Sequence, residues 1–256
     1  MGLIEPTIHK NICLALIAIA LVSFVMLFFV AAPYGRYHSQ DRKWGPTVNS
    51  RLGWCLMELP SVVVFTWIFC LGSHISHAAP LIFFTCWQMH YIHRALIFPL
   101  RLGGTQSRIP LVIIILGFSF NGANSYINAR WISELGVYSS QWITHPIFIC
   151  GITIFVLGLI LNLQSDTILL RLRADSSAKY KIPHGGAFRW VSSPNYLGEM
   201  LEWLGWAIAT WSLSGLTFFL FSAANLVPRA YWHHRWYRDN FPNYPKKRKC
   251  LIPYVY

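Results

Sequence analysis

Seven long apolar segments restrict the fold of this chain more than any other feature. A helix needs about 20 apolar residues to cross a bilayer. Of the 256 residues, 55% are hydrophobic and only 12% are charged, whereas soluble proteins carry about 25% charged residues. We therefore predict an all-α, polytopic membrane protein of one domain with seven transmembrane helices, at residues 10–32, 52–73, 79–100, 109–130, 145–164, 196–211 and 213–230.

The basic residues are distributed very unevenly between these segments. Of 21 lysines and arginines, 18 lie after the first, third or fifth segment or in the tail, while Lys10 and Arg130 fall on the other side and Arg94 lies within the third segment. Cytosolic loops are enriched in Lys and Arg. This predicts a cytosolic carboxyl terminus and an outside amino terminus, in a bacterial inner membrane or an endoplasmic reticulum. Because the net charge of +12 is spread over several loops, it does not indicate nucleic-acid binding.

Two carboxylates interrupt the sixth apolar segment. Glu199 and Glu202 are three residues apart, so a helix would present both on one face. A charge near membrane depth is costly and usually faces a partner or a wet cavity. The lead-in 192–195, Ser-Ser-Pro-Asn, is typical of a helix start. We expect this helix to line a site.

Polar side chains also occur in the second and third segments. Glu58 precedes Pro60, which removes a backbone donor and can kink the helix beside the acid. Tyr91 and Arg94 share a helix face, and a phenol near an acid can donate a proton or polarise a carbonyl. Two alternatives stay open: Glu58 makes only an interhelical hydrogen bond, or Tyr91 and Arg94 belong to an interfacial aromatic belt in which Arg94 snorkels.

The end of the fifth segment combines an acid and amides with a basic loop. Asn162 and Asp166 precede Arg171 and Arg173, a combination suited to a phosphorylated ligand with ribose hydroxyls. Asp166 could instead be a counter-ion to either arginine. No GxGxxG motif follows a strand, so a nucleotide site here would not be a Rossmann domain.

The tail presents a possible polar stripe. Arg229, His233 and Tyr237 are spaced four residues apart, so they share one face if the seventh helix continues into the cytosol. A basic-aromatic helix on the membrane surface would have the same spacing. The histidines show no HExxH or comparable spacing, and we expect no metal.

Taken in order, these motifs resemble the steroid 5-alpha-reductase family. The resemblance runs from about residue 52 to residue 256 and is densest at 162–166, 182–186, 195–203, 229–237 and 244–253. Members of that family reduce the carbon–carbon double bond of 3-oxo-Δ4-steroids with NADPH. Residues 193–199 are also similar to an HPxYxG element of sterol reductases and membrane methyltransferases, with Ser193 in place of the histidine.

The resemblance implies roles for the polar residues. Glu58 and Tyr91 match the catalytic pair expected to hydrogen-bond the steroid 3-ketone from opposite helices, and Trp54, Met57, Arg94 and Phe120 match the substrate pocket. Mammalian members carry glutamine at Met57, so one polar contact is missing here. The positions expected to hold NADPH are Asn162, Asp166, Arg173, Tyr180, Lys181, Asn195, Glu199, Glu202, Arg229, His233 and Tyr237.

The same resemblance implies an internal division and a set of partners. Residues 1–51 would form the first helix and a cytosolic loop, 52–135 the steroid-pocket helices, and 136–256 the NADPH-binding half. Lys181 stands where arginine is common, which keeps the charge but loses the bidentate fork. The expected partners are a membrane-dissolved steroid or related enone lipid and the bilayer, with no nucleic acid and no obligate protein partner.

Two other functions would account for parts of this sequence pattern. A membrane methyltransferase using S-adenosylmethionine would share the 194–199 element and the C-terminal helical hairpin. The basic loops favour a dinucleotide, because S-adenosylmethionine has no phosphate. A transporter or channel would show inverted repeats or helices broken at corresponding positions, and the sequence shows neither.

Overall fold

A computed structural model describes residues 4–31, 44–102, 107–174 and 180–256. Within them, each of the seven predicted segments contains a helix. The helices are α1 Ile4–Phe29, α2 Ser50–Cys70, α3 Ala78–Ile92, α4 Phe98–Arg101, α5 Leu111–Arg130, α6 Pro146–Ala174, α7 Pro194–Thr210 and α8 Leu213–Asn240. A first π turn, His93–Ile97, joins α3 to α4, and a second, Trp131–Leu135, extends α5; short 3₁₀ helices occupy Trp142–Thr144 and Gly186–Arg189.

Four of these helices are long and apolar enough to cross a membrane: Ile4–Phe29, Ser50–Cys70, Leu111–Leu135 and Pro146–Arg173. The protein is therefore a mostly helical membrane protein. The predicted cytosolic charges Arg36, Arg42, Lys43 and Lys179 lie outside the described residues.

The structure departs from the predicted segments in two respects. The all-α prediction omitted strands β1 Thr47–Asn49 and β2 Arg108–Pro110, which pair antiparallel in front of α2 and α5. Helices α6 and α8 also continue well past their predicted ends, to Ala174 and Asn240. Both extensions are rich in arginine and other polar residues, which end an apolar run without ending a helix.

Helices α6 and α7 approach each other through glycines. Gly151 and Gly158 of α6 face Gly198 and Gly205 of α7, with a seven-residue spacing in each helix that keeps them on one side. A Cβ atom at Gly158 would collide with the backbone of Glu202, and one at Gly198 would lie 2.5 Å from the backbone nitrogen of Asn162. Small residues permit such close packing of membrane helices, and this contact brings the polar end of α6 beside the start of α7.

An aromatic core holds α3 against α2, α7 and α8. Trp87 stacks on Phe65 with ring centroids 4.3 Å apart, and Trp203 packs on Phe218 at 4.1 Å. The indole nitrogen of Trp87 donates to the Ser61 carbonyl at 2.8 Å, so the buried donor is satisfied. This aromatic core contacts the polar residues His90 and Tyr91 of α3.

The C-terminal tail folds back onto the segment that precedes α7. Lys249 N donates to the Trp190 carbonyl at 2.8 Å, and Ser192 N donates to the Lys249 carbonyl at 2.9 Å. Leu251 is fully buried beneath this contact. The last residues of the chain are thus part of the wall that supports the start of α7.

Candidate active site

A buried arginine links three helices at one end of the bundle. Arg94 Nη1 lies 3.1 Å from Asp166 Oδ2 on α6, and its Nη2 lies 3.6 Å from Glu199 Oε2 on α7. The three side chains are only 12%, 4% and 17% exposed. Arg94 belongs to the first π turn, and such turns, whose hydrogen bonds span one residue more, are frequent at functional sites.

The environment of Arg94 rules out snorkelling. Its guanidinium lies over the rings of Trp54 and Phe98, at 5.0 and 4.9 Å from the ring centroids, in the geometry of a cation–π contact. The charge therefore points into the protein. Arg94, which was predicted for the substrate pocket together with Trp54, pairs with two acids that were predicted for the cofactor.

Asparagines complete the polar end of α6 and α7. Asn195 Nδ2 donates to Asp166 Oδ1 at 3.1 Å, and Asn162 Nδ2 donates to the Asn195 carbonyl at 2.9 Å. These three residues, all predicted for the cofactor, form one connected group. Asp166 pairs with Arg94 and not with Arg171 or Arg173, the partners that the sequence left open; both of those side chains are exposed.

Glu58 lies in a hydrogen-bonded contact between α2 and α5. Asn121 Nδ2 donates to Glu58 Oε2 at 3.0 Å and to the Met57 carbonyl at 2.7 Å. The interhelical bond foreseen for Glu58 therefore exists, but Glu58 also interacts electrostatically with Arg94, Glu199 and His90. It belongs to the same polar cluster.

Sequence reasoning missed Asn121. The glutamine of mammalian family members is replaced here by Met57, whose side chain packs against Gly117, where a Cβ atom would overlap it. The amide next to Glu58 is that of Asn121 on α5. The available signal was a face of the apolar helix α5 that carries Asn121, Asn124, Ser125 and Asn128, all buried.

Tyr91 faces Glu58 from α3. Its side chain is 3% exposed and packs on Trp87 and Trp203 at 4.8 and 5.8 Å between ring centroids. It is close enough to Glu58 for the two groups to interact electrostatically. The two residues predicted as the catalytic pair therefore lie on adjacent helices, and their catalytic role stays a prediction.

Glu202 lies deeper than the other residues predicted for the cofactor. It is fully buried, and its Oε1 lies 2.8 Å from His90 Nδ1. One helical turn separates it from Glu199, which is enough to move its carboxyl group from the polar end of α7 into the aromatic core. His90, its partner, was not among the predicted site residues.

The polar stripe of α8 faces the protein. Arg229 lies over the Tyr196 ring at 5.5 Å, the His233 ring packs at 5.3 Å from the same tyrosine, and Tyr237 stacks on Tyr244 at 5.3 Å. Tyr237 is only 3% exposed. The alternative of a helix lying on the membrane surface does not fit this burial.

The remaining predicted residues divide between wall and rim. Phe120 stacks on Phe221 with centroids 3.7 Å apart. Tyr180 packs edge-on against Trp236 at 5.1 Å, while Lys181 and Arg173 are exposed. Among the described residues, no group of three or more histidine, cysteine or acidic side chains is arranged to hold a metal ion.

Unsatisfied polar atoms lie where α7 begins. Within the described part of the chain, Ser193 Oγ is buried without a hydrogen-bond partner, and Glu199 Oε2 is buried with no hydrogen bond besides its 3.6 Å ion pair with Arg94. Buried polar groups are normally paired. This end of the bundle therefore has the chemistry of a site that a polar ligand completes.

Together, the apolar helices and the buried arginine–acid–tyrosine cluster define a membrane enzyme with a site inside a helix bundle. The family model described as 3-oxo-5-alpha-steroid 4-dehydrogenase matches residues 107–256. The chain is 40% identical over 239 residues to 3-oxo-5-alpha-steroid 4-dehydrogenase 1 of Rattus norvegicus, covering 92% of this chain and 91% of the rat protein. It is 39% identical over 260 residues to a steroid 5-alpha-reductase of Arabidopsis thaliana, with 98% of each chain covered.

The human 3-oxo-5-alpha-steroid 4-dehydrogenase 1 is 36% identical over 225 residues, covering 87% of this chain and 86% of that protein. The chain belongs to the 3-oxo-5-alpha-steroid 4-dehydrogenase family. It is an oxidoreductase that acts on CH–CH groups. The family assignment excludes the methyltransferase and the transporter.

Proposed function

We propose that this protein reduces the Δ4 double bond of 3-oxo-Δ4-steroids to 5α-reduced 3-oxosteroids, by hydride transfer from NADPH to carbon 5. The observation that carries the proposal is the approach of Glu58 and Tyr91 from α2 and α3, next to the polar end of α6 and α7. The rat and Arabidopsis relatives are named a 3-oxo-5-alpha-steroid 4-dehydrogenase and a steroid 5-alpha-reductase, which supports a steroid substrate.

The chemistry rests on polarisation of the 3-ketone. Conjugation connects the ketone oxygen to carbon 5, so hydrogen-bond donors on the oxygen make carbon 5 electrophilic. Tyr91 and Glu58 would hold the oxygen and stabilise the enolate charge that develops on it. A proton from solvent or from a relay would then add to carbon 4, which converts the enolate to the saturated 3-ketone. A donor oriented toward developing charge commonly contributes about 3–4 kcal/mol. The surrounding tryptophans exclude water, which strengthens these contacts.

NADPH would supply the hydride. We assign its nicotinamide and ribose end to Asn162, Asp166, Asn195 and Glu199, because these polar side chains surround the unsatisfied atoms at the start of α7. Its phosphates and adenosine would contact the basic and aromatic residues of the rim, namely Arg173, Tyr180, Lys181, Arg229, His233 and Tyr237. Glu202 would not contact the cofactor directly; it would orient His90, whose ring packs against that of Tyr91.

The topology would bring the two reactants in from different phases. We propose seven transmembrane helices with the amino terminus outside and the carboxyl terminus in the cytosol. The steroid would enter from the bilayer into the helices of residues 52–135, and the dinucleotide from the cytosol into residues 136–256. Arg94, in the first part, pairs with Asp166, in the second, so both ligands would meet at this contact. No obligate protein partner is required.

The test is a reaction with defined components. Detergent-solubilised protein is incubated with a 3-oxo-Δ4-steroid and NADPH carrying deuterium at the transferable position, and products are identified by mass spectrometry and chromatography against 5α and 5β standards. We expect a 5α product with deuterium at carbon 5, and little product from the Glu58→Gln variant. A protein that binds NADPH but leaves the steroid unchanged would contradict the assignment of the substrate.

A further inference from the structure

We propose that Asn121 is a positioning residue for the reduction, because its amide determines which oxygen of Glu58 faces the steroid ketone. The proposal rests on the proposed function, in which Glu58 polarises that ketone.

The Asn121 amide has a fixed orientation. Its side chain is 6% exposed, and Nδ2 donates to the Met57 carbonyl at 2.7 Å and to Glu58 Oε2 at 3.0 Å. An amide nitrogen carries two hydrogens, so each acceptor takes one of them. The bond to a backbone carbonyl of α2 leaves the second hydrogen aimed at Glu58.

This contact distinguishes the two carboxyl oxygens of Glu58. A carboxylate has no hydrogen to donate, so Glu58 must carry a proton when it donates to a ketone. Oε2 already accepts a hydrogen bond from Asn121, which favours the carbonyl form at that oxygen and the hydroxyl form at Oε1. Asn121 therefore directs the proton of Glu58 toward the oxygen that remains for the substrate.

The rotation of α5 is held by other bonds on the same helix face. Trp206 Nε1 on α7 donates to Asn128 Oδ1 at 2.8 Å. Ser125 Oγ donates to the Pro60 carbonyl at 3.4 Å. These bonds anchor α5 to α7 and α2, so Asn121 meets Glu58 in one register.

Asn124 provides a matched control. It lies on the same buried face one turn away, is fully buried, and its Nδ2 has no hydrogen-bond partner among the described residues. The Asn124→Ala change removes the side-chain acceptor of Asn128 Nδ2, a bond within α5, but none of the described hydrogen bonds to Glu58 or between helices. We expect normal turnover in this variant.

The experiment is a double-mutant cycle. Asn121→Leu, Glu58→Gln and the double variant are compared with the wild type for kcat and KM with a 3-oxo-Δ4-steroid, and for NADPH affinity by nicotinamide fluorescence. Asn121→Leu should lower kcat by about tenfold, less than the loss of a direct donor, with NADPH affinity unchanged. In the Glu58→Gln background the same substitution should change kcat by less than about twofold, because residues that act through one contact are not additive.

Several results would overturn the proposal. The first is a kcat of Asn121→Leu equal to that of the wild type. The second is a double variant whose loss of kcat is the product of the two single losses. The third is a loss of kcat in Asn124→Ala as large as that in Asn121→Leu. Asn121→Val, a second variant without a side-chain donor, should behave like Asn121→Leu; if neither variant folds well enough to bind NADPH, Asn121 is a packing residue and the proposal fails. A fully active Glu58→Gln enzyme would refute the ketone role of Glu58 itself, whereas multiplying losses with an impaired Glu58→Gln would refute only the role of Asn121.

Discussion

Arg94 Nη1 lies 3.1 Å from Asp166 Oδ2, and this contact ties the helix that carries Tyr91 to the helix that carries Asn162. The same guanidinium is 3.6 Å from Glu199 on α7. One buried cation therefore pairs with two acids from different helices. The proposed substrate pocket and the proposed cofactor site share this residue.

Removing Arg94 should damage the protein more than removing one of its partners. Arg94→Met leaves Asp166 and Glu199 without their cation, whereas Asp166→Asn leaves the Glu199 pair in place. Breaking a buried pair by deleting one partner typically destabilises a protein by about 3–5 kcal/mol. We expect a clear fall in the thermal unfolding midpoint for Arg94→Met and a smaller one for Asp166→Asn, measured in one detergent. If both variants unfold at the midpoint of the wild type, the cluster contributes little to stability.

The ketone pair can be separated from cofactor binding. Glu58→Gln and Tyr91→Phe keep the shape of each side chain; the first removes the acidic proton of Glu58 and the second removes the phenolic donor of Tyr91. Each should lower kcat by about tenfold or more, with little change in NADPH affinity, because the lost contact forms mainly in the transition state. Steady-state kinetics and fluorescence titration measure the two quantities. Near-normal rates in both variants would contradict the proposed role of Glu58 and Tyr91 in polarising the ketone.

The rim residues should affect the cofactor and not the steroid. Arg229→Ala should weaken NADPH binding most, because Arg229 is partly buried against Tyr196 and a charge-assisted bond to phosphate contributes about 1.5–3 kcal/mol. Arg173→Ala should have a smaller effect, since Arg173 is exposed and exposed pairs contribute less. Arg235→Ala is the control, because Arg235 pairs with Asp239 at 3.6 Å on the surface. Unchanged NADPH affinity in Arg229→Ala and Arg173→Ala would leave the basic loops as topological signals alone.

The folded tail should loosen as the pH falls. Ser192 Oγ lies 2.6 Å from both His234 Nδ1 and Tyr244 Oη. Burial, followed by the charges of Arg238, Arg248 and Lys249, lowers the pKa of His234, which lies beyond the proposed seventh span. A histidine kept neutral by folding stabilises the fold above its ordinary pKa of about 6.5, and this contribution is lost as the pH falls toward the folded-state pKa.

Limited proteolysis of the tail at several pH values measures this effect. Cleavage after residue 240 should increase in mildly acidic buffer in the wild type. It should be faster at every pH in Tyr244→Phe, because Ser192 Oγ and Arg248 Nη1 then lose a buried partner, a change that commonly costs about 1–3 kcal/mol. A cleavage rate that stays constant between neutral and mildly acidic pH would exclude His234 as the responsible group.

The membrane topology is testable with two reporters. A reporter fused after Tyr256 should be cytosolic, and one inserted in the 73–78 loop, which follows α2, should lie on the opposite side. The reason is the excess of Lys and Arg on the proposed cytosolic side. Protease accessibility in sealed vesicles checks each fusion. If both reporters are found on the same side, the count of seven spans is wrong.

The sequence by itself determined where helices form and which residues are chemically out of place in them. Apolar segments of bilayer length specify helices locally, because a backbone in lipid must satisfy its own hydrogen bonds. Polar side chains are rare within such segments, so Glu58, Glu199 and Tyr91 were identified as candidate site residues from the sequence. The ends of α6 and α8 were misjudged, since polarity marks the edge of an apolar run and not the end of a helix.

Only the tertiary structure decided which of these residues meet. The pairing of Asp166 with Arg94, of Glu202 with His90, and of Asn121 with Glu58 joins residues that are 72, 112 and 63 positions apart. Each pairing depends on the rotation and depth of one helix against another. Glycines at the α6–α7 contact and bulky aromatic rings around Trp87 set those rotations, and a shift of one residue turns a helix by about 100°. No local pattern encodes that angle, because it results from packing many side chains at once.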